Sequence, residues 1–255
     1  MDYKILFIDN HEIYSSSGLT RIIHPGTKLD YPILKADKPW ESINQMGGTV
    51  RKEGELYRMW YDSWVVNDKH NAYSSLYAES NDGITWYKPN LNMYKDFNGN
   101  LNNNIYLNRI SLRSNTLSPP QNVEQDHNKN ILYTPHLGKE KNYTMVAYDY
   151  AYTDYGAYDG YYLAYSKDGI SWQDGPQYPV IPGHADVGWF MYDDTDTIFR
   201  GIVKSYLNIR GYSRRSVLWT ESKDALEWTL PKPAIIPDQI DDSWAEGNPE
   251  RFSQF

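Results

Sequence analysis

One short cluster constrains the fold of this chain more than any other feature. It is spelled "SNDGITW" at residues 80–86, "SKDGISW" at 166–172 and, worn down, "SKDALEW" at 222–228. Each copy follows a run that alternates apolar and polar residues, as in "YYLAYSKDGISW", and each closes on a tryptophan. Asp in such a turn accepts backbone N–H bonds, Gly supplies the positive φ, and Ser satisfies a further backbone group. Asp82, Asp168 and Asp224 are therefore expected to hold turns and do no chemistry. Ala225 stands where the other copies have glycine, so the third turn is expected to differ or to carry strain.

Around the cluster a longer order recurs. "GGTVRKEGELYRMWYDSW" reads as two antiparallel strands turning at Glu53-Gly54, and "SSLYAESNDGITWYKP" adds a third strand, the turn and a short return led by Trp86. The same order is spelled by "NILYTPHLGKEKNYTMVAYDYAY" with "GYYLAYSKDGISW", and by "VGWFMYDDTDTIFRGIVKSYL" with "RRSVLWTESKD". Helical periodicity is nearly absent. Four-stranded units repeated with a signature in the third-to-fourth turn mark β-propeller blades. The fold expected is all-β, with blade-like units at about 41–90, 104–176 and 178–232 in a single domain. Residues 1–40 are expected to form an N-terminal strand or strap. Three units cannot close a ring, and "DDSWAEGNPERFSQF" reads as the approach to another inner strand. The chain is thus expected to hold about three blades, and the start of a fourth, of a longer propeller.

Composition excludes several function classes. There is no cysteine among 255 residues, so disulfides and thiolate metal sites are out. A net charge of −8 argues against nucleic acid, because phosphate binding needs a basic face. No segment reads as a membrane span or signal peptide, which points to the cytoplasm as the chain is written, or to secretion or the periplasm if a leader is removed. Twenty-four tyrosines and nine tryptophans suit β-strands, and they also suit sugar binding, where ring faces stack on C–H groups.

The turn itself is similar to the Asp-box of sialidases, though one residue shorter between Asp and Trp. The wider pattern, "LFIDNHEI", "GLTRIIHPG", "PWES", "GTVRKEGELYRMWY", "YAESNDGITWYKPNL", "DVGWFMYDD" and "RRSVLWTESKD", resembles bacterial proteins described as glycosyl hydrolase family 32-like. These are similar to the five-bladed β-propellers of glycoside hydrolase families 32, 43 and 68. The resemblance implies a five-bladed scaffold and a glycosidase acting on a carbohydrate substrate without a cofactor. The family 32 motifs Asn-Asp-Pro-Asn-Gly, Arg-Asp-Pro and Glu-Cys are absent, so catalytic residues do not transfer motif by motif.

Chemistry supplies candidates instead. Glycoside hydrolysis generally needs two carboxyl groups flanking the scissile bond, and in such propellers they come from the starts of innermost strands. Asp186, directly before "VGWF", is the best placed. Glu41 in "KPWES", Asp126 in "VEQDHNKN", and Glu246 and Glu250 in the terminal stretch complete the catalytic set. Trp40, His127, His184, Trp189, Arg214 and Arg215 are the expected substrate contacts, with Trp40 as a stacking wall and an arginine binding a carboxylate or hydroxyls bidentately. "YDDTDTIF" reads as a hairpin turn and not a calcium loop, because it lacks the glycine and distal glutamate of that motif, and no metal site is expected. A non-catalytic carbohydrate-binding propeller, and a truncated fragment lacking part of the active site, stay open as alternatives.

Overall fold

A computed structural model describes residues 13–22, 24–66, 71–107, 129–153, 156–184, 186–239 and 241. Residues 1–32 form a unit of their own, whose described part contains no strand. Residues from Ile33 onward form a second unit, whose described strands make antiparallel sheets.

The first sheet is β1 (Ile43–Glu53), β2 (Leu56–Val66), β3 (Asn71–Ser80) and β4 (Ile105–Leu107), in that order. The second is β5 (Lys129–Tyr133), β6 (Tyr143–Thr153), β7 (Gly156–Ser166) and β8 (Trp172–Asp174), with the short β9 (Ile181–Pro182) also pairing β7. The third is β10 (Gly188–Asp193), β11 (Ile198–Ile209), β12 (Tyr212–Ser222) and β13 (Lys232–Ile235). The all-β, propeller-like arrangement expected from the repeat is present. One detail differs. The fourth strand of the first sheet is not the return led by Trp86. Tyr87 makes only an isolated bridge to Glu79, and the edge is taken by Ile105–Leu107 after a long loop.

Register aligns the three sheets residue for residue. The serine of each turn faces Tyr57, Tyr143 and Phe199 across the central strand pair. Arg58, Thr144 and Arg200 are thus equivalent, as are Trp60, Val146 and Ile202, and Tyr77, Leu163 and Trp219. Alternate side chains point to opposite faces, so even-numbered positions of the central strands β2 and β6 meet the next sheet. Trp60 and Tyr77 pack with Met145, Ala147 and Ala164 of the second sheet, and Val146 and Leu163 pack with Phe190, Phe199 and Leu218 of the third. Burying a side chain such as Phe199 contributes about 1.5–3 kcal/mol. The far face of the first sheet is closed by Trp40, Leu34, Trp86, Tyr94 and Phe97.

The three turns are built alike. Asp82, Asp168 and Asp224 each accept two backbone N–H bonds and one from the serine hydroxyl, at 2.7–3.0 Å. These bonds pull Asp82 down to about 2. Burial pushes Asp168 and Asp224 the other way, yet the same N–H bonds hold both below the usual carboxylate range. Ala225 adopts φ 64°, the left-handed conformation of Gly83 and Gly169, so the third turn keeps the same form with a strained residue.

Candidate functional site

The first strands of the three sheets lie side by side, with β5 between β1 and β10. Two side chains stitch them together at equivalent positions. Thr49 Oγ1 accepts the N–H of Ile131 at 2.8 Å, and Asn130 Oδ1 accepts the N–H of Phe190 at 3.2 Å while its amide donates to Gly188 O at 3.1 Å. The strand ends also meet, since the Arg51 guanidinium lies 4.1 Å over the Tyr133 ring. The three inner strands therefore run the same way, and their starts open on one common mouth.

That mouth is polar, and it is deeply buried where the first two sheets meet. At the boundary of the first two sheets, Lys129 reaches Asp62 at 3.2 Å with both side chains 2% exposed or less. Ser63, Ser74, Ser75 and Asp149 are buried at the same level. In the second sheet the Tyr148 hydroxyl donates to Asp159 at 3.2 Å. At the start of β10, Asp186 is ion-paired with Lys204, whose backbone N–H also bonds Val187 O at 2.8 Å. Tyr161 faces this carboxylate. Burial, then the negative charge of Asp186, pushes its phenol far above the ordinary tyrosine range, so it remains a neutral hydroxyl. Gly188 leaves the space this requires, because a Cβ there would stand 2.7 Å from the Tyr161 oxygen. His184 is half-buried, with Nδ1 buried and without a hydrogen-bond partner among the described residues; desolvation lowers its proton affinity more than Asp159 restores it. A neutral imidazole, carboxylates held by ammonium groups and a neutral phenol together offer hydrogen bonds to sugar hydroxyls and charge to a developing cation.

The expected residues divide into three groups. Asp186 and His184 stand at this mouth. Arg214 and Arg215 begin the matching end of β12, Arg214 fully buried and Arg215 donating through Nε to the Tyr206 hydroxyl at 3.2 Å. Trp189, 56% exposed, lies one residue into β10 on the outward face of the third sheet.

Two expected residues have a different setting. Trp40 is no stacking wall: it is 9% exposed, packed in the core, with its indole N–H on Asn104 Oδ1 at 2.8 Å. Glu41 is saturated. It accepts from the Asp37 and Lys38 amides at 3.0 and 3.2 Å, from the Tyr61 hydroxyl at 2.6 Å and from Lys88 at 2.6 Å. A carboxylate with four donors ties the 37–41 loop to the first sheet. Asp126, His127, Glu246 and Glu250 lie outside the described residues.

Sequence reading missed Asp62, Lys129 and Lys204. A charge set inside an aromatic strand, as Asp62 is in "RMWYDSW", was the available signal. The Asp193–Asp196 segment is the hairpin turn expected of it: Asp193 accepts the amides of Thr195 and Asp196, and Arg200 pairs with both carboxylates.

No family model and no curated protein sequence matches the chain. Solved structures do. A β-1,2-mannobiose phosphorylase from Listeria innocua, in complex with β-1,2-mannobiose, matches with a TM-score of 0.50 at 9% identity, over 81% of this chain and 63% of that one. The shared property is the fold. A GH32 β-fructofuranosidase of Bombyx mori matches with a TM-score of 0.46 at 12% identity, over 74% of this chain and 34% of that one. An exo-inulinase from Aspergillus awamori matches with a TM-score of 0.48 at 13% identity, over 77% and 40%. The chain thus spans about a third of the fructofuranosidase.

Proposed function

We propose that the chain belongs to a five-bladed propeller that cleaves glycosidic bonds in a glycan or oligosaccharide, with Asp186 as an axial carboxylate. The observation that carries this reading is the Asp186–Lys204 pair at the start of an inner strand, beside the Tyr161 phenol and at the same mouth as Asp62–Lys129. In this reading Lys204 orients the Asp186 carboxylate, Tyr161 and His184 bind sugar hydroxyls, and Glu246, Glu250 or Asp126 supplies the second carboxyl group. The three described sheets are three of the five blades.

A non-catalytic reading has its own observation. At the opposite end of the inner strands, an open groove of about 650 Å³ presents Tyr133 under Arg51, and His136 stacked on Tyr192 at 4.2 Å. Aromatic faces of that kind bind sugars without cleaving them.

Aryl glycosides and manno- and fructo-oligosaccharides, assayed with and without inorganic phosphate, separate the two. Asp186→Asn is expected to lower kcat about 10²–10⁴-fold, the usual loss for a positioned proton-transfer or charge-stabilising group. Turnover that survives Asp186→Asn unchanged removes Asp186 from the mechanism. Glycan binding without turnover, abolished by Tyr133→Ala and indifferent to Asp186→Asn, favours the binding reading.

A further inference from the structure

The loop between Trp86 and β4 holds a carboxylate oxygen that no described residue answers. Asp96 is 8% exposed. Its Oδ1 accepts the N–H groups of Asn98 and Asn100, both at 2.8 Å. Its own N–H donates to Asn100 O at 2.9 Å, and its carbonyl accepts from Gly99 at 3.0 Å. Oδ2 is cut off from solvent and has no hydrogen-bond partner among the described residues. None of the ion pairs of the described residues involves Asp96. A buried carboxylate oxygen without donor or counter-charge is costly, and it calls for an ion or a water beside it.

The same loop supplies the rest of an ion site. Residues 96–100 read "DFNGN", with side-chain oxygens at the first, third and fifth places. Calcium loops present their first ligands in that order. Both oxygens of Asp96 belong to one carboxyl group, so Oδ1 fixes the turn's amides while Oδ2 lies within the same turn. Gly99, at φ 85°, lets the chain close this tightly. Asn98 and Asn100 are exposed, and no hydrogen bond among the described residues engages their side chains. The frame around them is fixed. The Asn103 amide donates to Tyr94 O at 2.7 Å and to Asn100 O at 2.8 Å, and its Oδ1 accepts from Ile105 at 2.9 Å. Tyr94 and Phe97 pack on the core of the first sheet. The Asp193 turn differs in the decisive respect, because Arg200 pairs with both Asp193 and Asp196 and supplies the counter-charge there.

We propose that the 94–103 loop is a calcium site, with Asp96 Oδ2 and the side-chain oxygens of Asn98 and Asn100 as ligands and water completing the shell. It draws on one carboxylate and on amide oxygens, not on a cluster of three or more His, Asp or Glu, which the described residues do not contain. Calcium fits better than magnesium. Amide oxygens on exposed side chains suit its large, adaptable shell, whereas magnesium demands a near-ideal octahedron and gives up water reluctantly. One carboxylate without a distal glutamate places the dissociation constant in the weak range, about 10⁻⁴–10⁻³ M. The ion fixes the loop that delivers Asn103 and Asn104 to β4, and Asn104 in turn holds the Trp40 indole at 2.8 Å. The site is independent of the glycosidase reading.

The test uses the 255-residue chain, stripped with EDTA and returned to chelator-free buffer. Calcium at about 10 mM is expected to raise the melting midpoint by about 3–10 °C, as for a ligand at roughly 10–100 times its dissociation constant. Terbium is expected to luminesce on excitation of the aromatic side chains, Tyr94 standing two residues from Asp96, and calcium is expected to displace it. Asp96→Asn, which keeps the shape of the side chain, is expected to abolish both responses. Asn98→Ala, at an exposed position, is expected to weaken calcium binding several-fold, and Asp193→Asn to leave both responses as they are. A midpoint that calcium does not move, or a calcium response that survives Asp96→Asn, overturns the proposal. An equal response to magnesium or sodium at the same ionic strength overturns it as well. Activity is not part of the readout, so the site and the proposed function stand or fall separately.

Discussion

The seam between the first and second sheets and the seam between the second and third hold the same kind of turn by different physics. The first is a polar hub. Arg58 donates to Tyr77, Tyr143, Glu53 and the Asp168 carbonyl, and lies 4.8 Å over the Trp60 ring. The second is a run of edge-to-face rings: Tyr148 against Tyr161 at 5.7 Å, Tyr161 against Phe190 at 5.0 Å, Phe190 against Trp228 at 5.4 Å. The residue after the turn aspartate follows the grip. At Gly169 a Cβ would stand 2.9 Å from Trp60 and 3.1 Å from Arg58, so no side chain fits. The positions equivalent to Arg58 and Trp60 in the second sheet are Thr144 and Val146, and there the turn carries Ala225, fully buried in the same core cluster as Val146. The missing glycine of the third repeat is the mark of a smaller neighbour.

The largest expected effect comes from emptying the polar hub. Arg58→Ala strips a donor from Tyr77, Tyr143 and the Asp168 carbonyl, and leaves the part-exposed Glu53 with Arg51 as its remaining cation. Three hydrogen bonds lost at about 1–1.5 kcal/mol each, with their acceptors left buried, cost about 3–4.5 kcal/mol. Thr144→Ala, at the equivalent place in the other seam, removes one hydroxyl bond to Thr134 and costs about 1 kcal/mol. Urea unfolding measures both; equal losses would erase the distinction between the seams. Next comes Gly169→Ala, which adds a methyl against Trp60 and forces an alanine to φ +78°. Left-handed strain of about 1–2 kcal/mol and overpacking of about 1–3 kcal/mol together predict a loss of about 2–5 kcal/mol.

How much of this was legible follows from the range of each signal. The turns were, because Ser, Asp, Gly and Trp lie within seven residues and the physics is local. The strand pairs were, because alternation persists through them. The fourth strand of the first sheet was not: Ile105–Leu107 is three residues long and follows a loop that reads as the end of a unit. Among the expected residues, the buried strand after Asp186 pointed to it, and the structure sets it against Lys204 and Tyr161. Asp62 and Lys129 were missed because neither reads as buried until the other arrives from 67 residues away. Trp40 and Glu41 look like a sugar platform in isolation, and only Asn104 and Lys88 reveal them as core and loop tie.

Acid acts on what the three turns share. Asp82, Asp168 and Asp224 all titrate below the usual carboxylate value in the folded chain, Asp82 at about 2. A lowered folded value means that these bonds contribute stability in full above about pH 4, the unfolded carboxylate range, and lose it as pH falls toward 2. Thermal melts between pH 5 and 2 should therefore show Asp82→Asn less stable than the parent at pH 5, with the gap closing by pH 2. Asp168→Asn and Asp224→Asn should close theirs over the same window. A gap that persists at pH 2 in one seam alone would assign that aspartate a further partner.

The smallest effect tests the rule that the grip selects the turn residue. Ala225→Gly relieves a left-handed alanine, a gain of about 1–2 kcal/mol, and removes a methyl buried in the second seam, a loss of about 0.8 kcal/mol plus the cavity it leaves. The two nearly cancel, and the melting midpoint is expected to move by no more than about 3 °C, given that 1 kcal/mol corresponds to roughly 2–4 °C in a domain of this size. The same glycine should matter far more once the neighbour is enlarged. Val146→Trp alone places an indole where Ala225 sits, as Trp60 sits over Gly169, and should destabilise by about 1–3 kcal/mol through overpacking. Adding Ala225→Gly should recover most of that loss, a coupling that two independent sites do not show. Without such recovery, the glycine at 169 would owe its place to backbone conformation alone and not to Arg58 and Trp60.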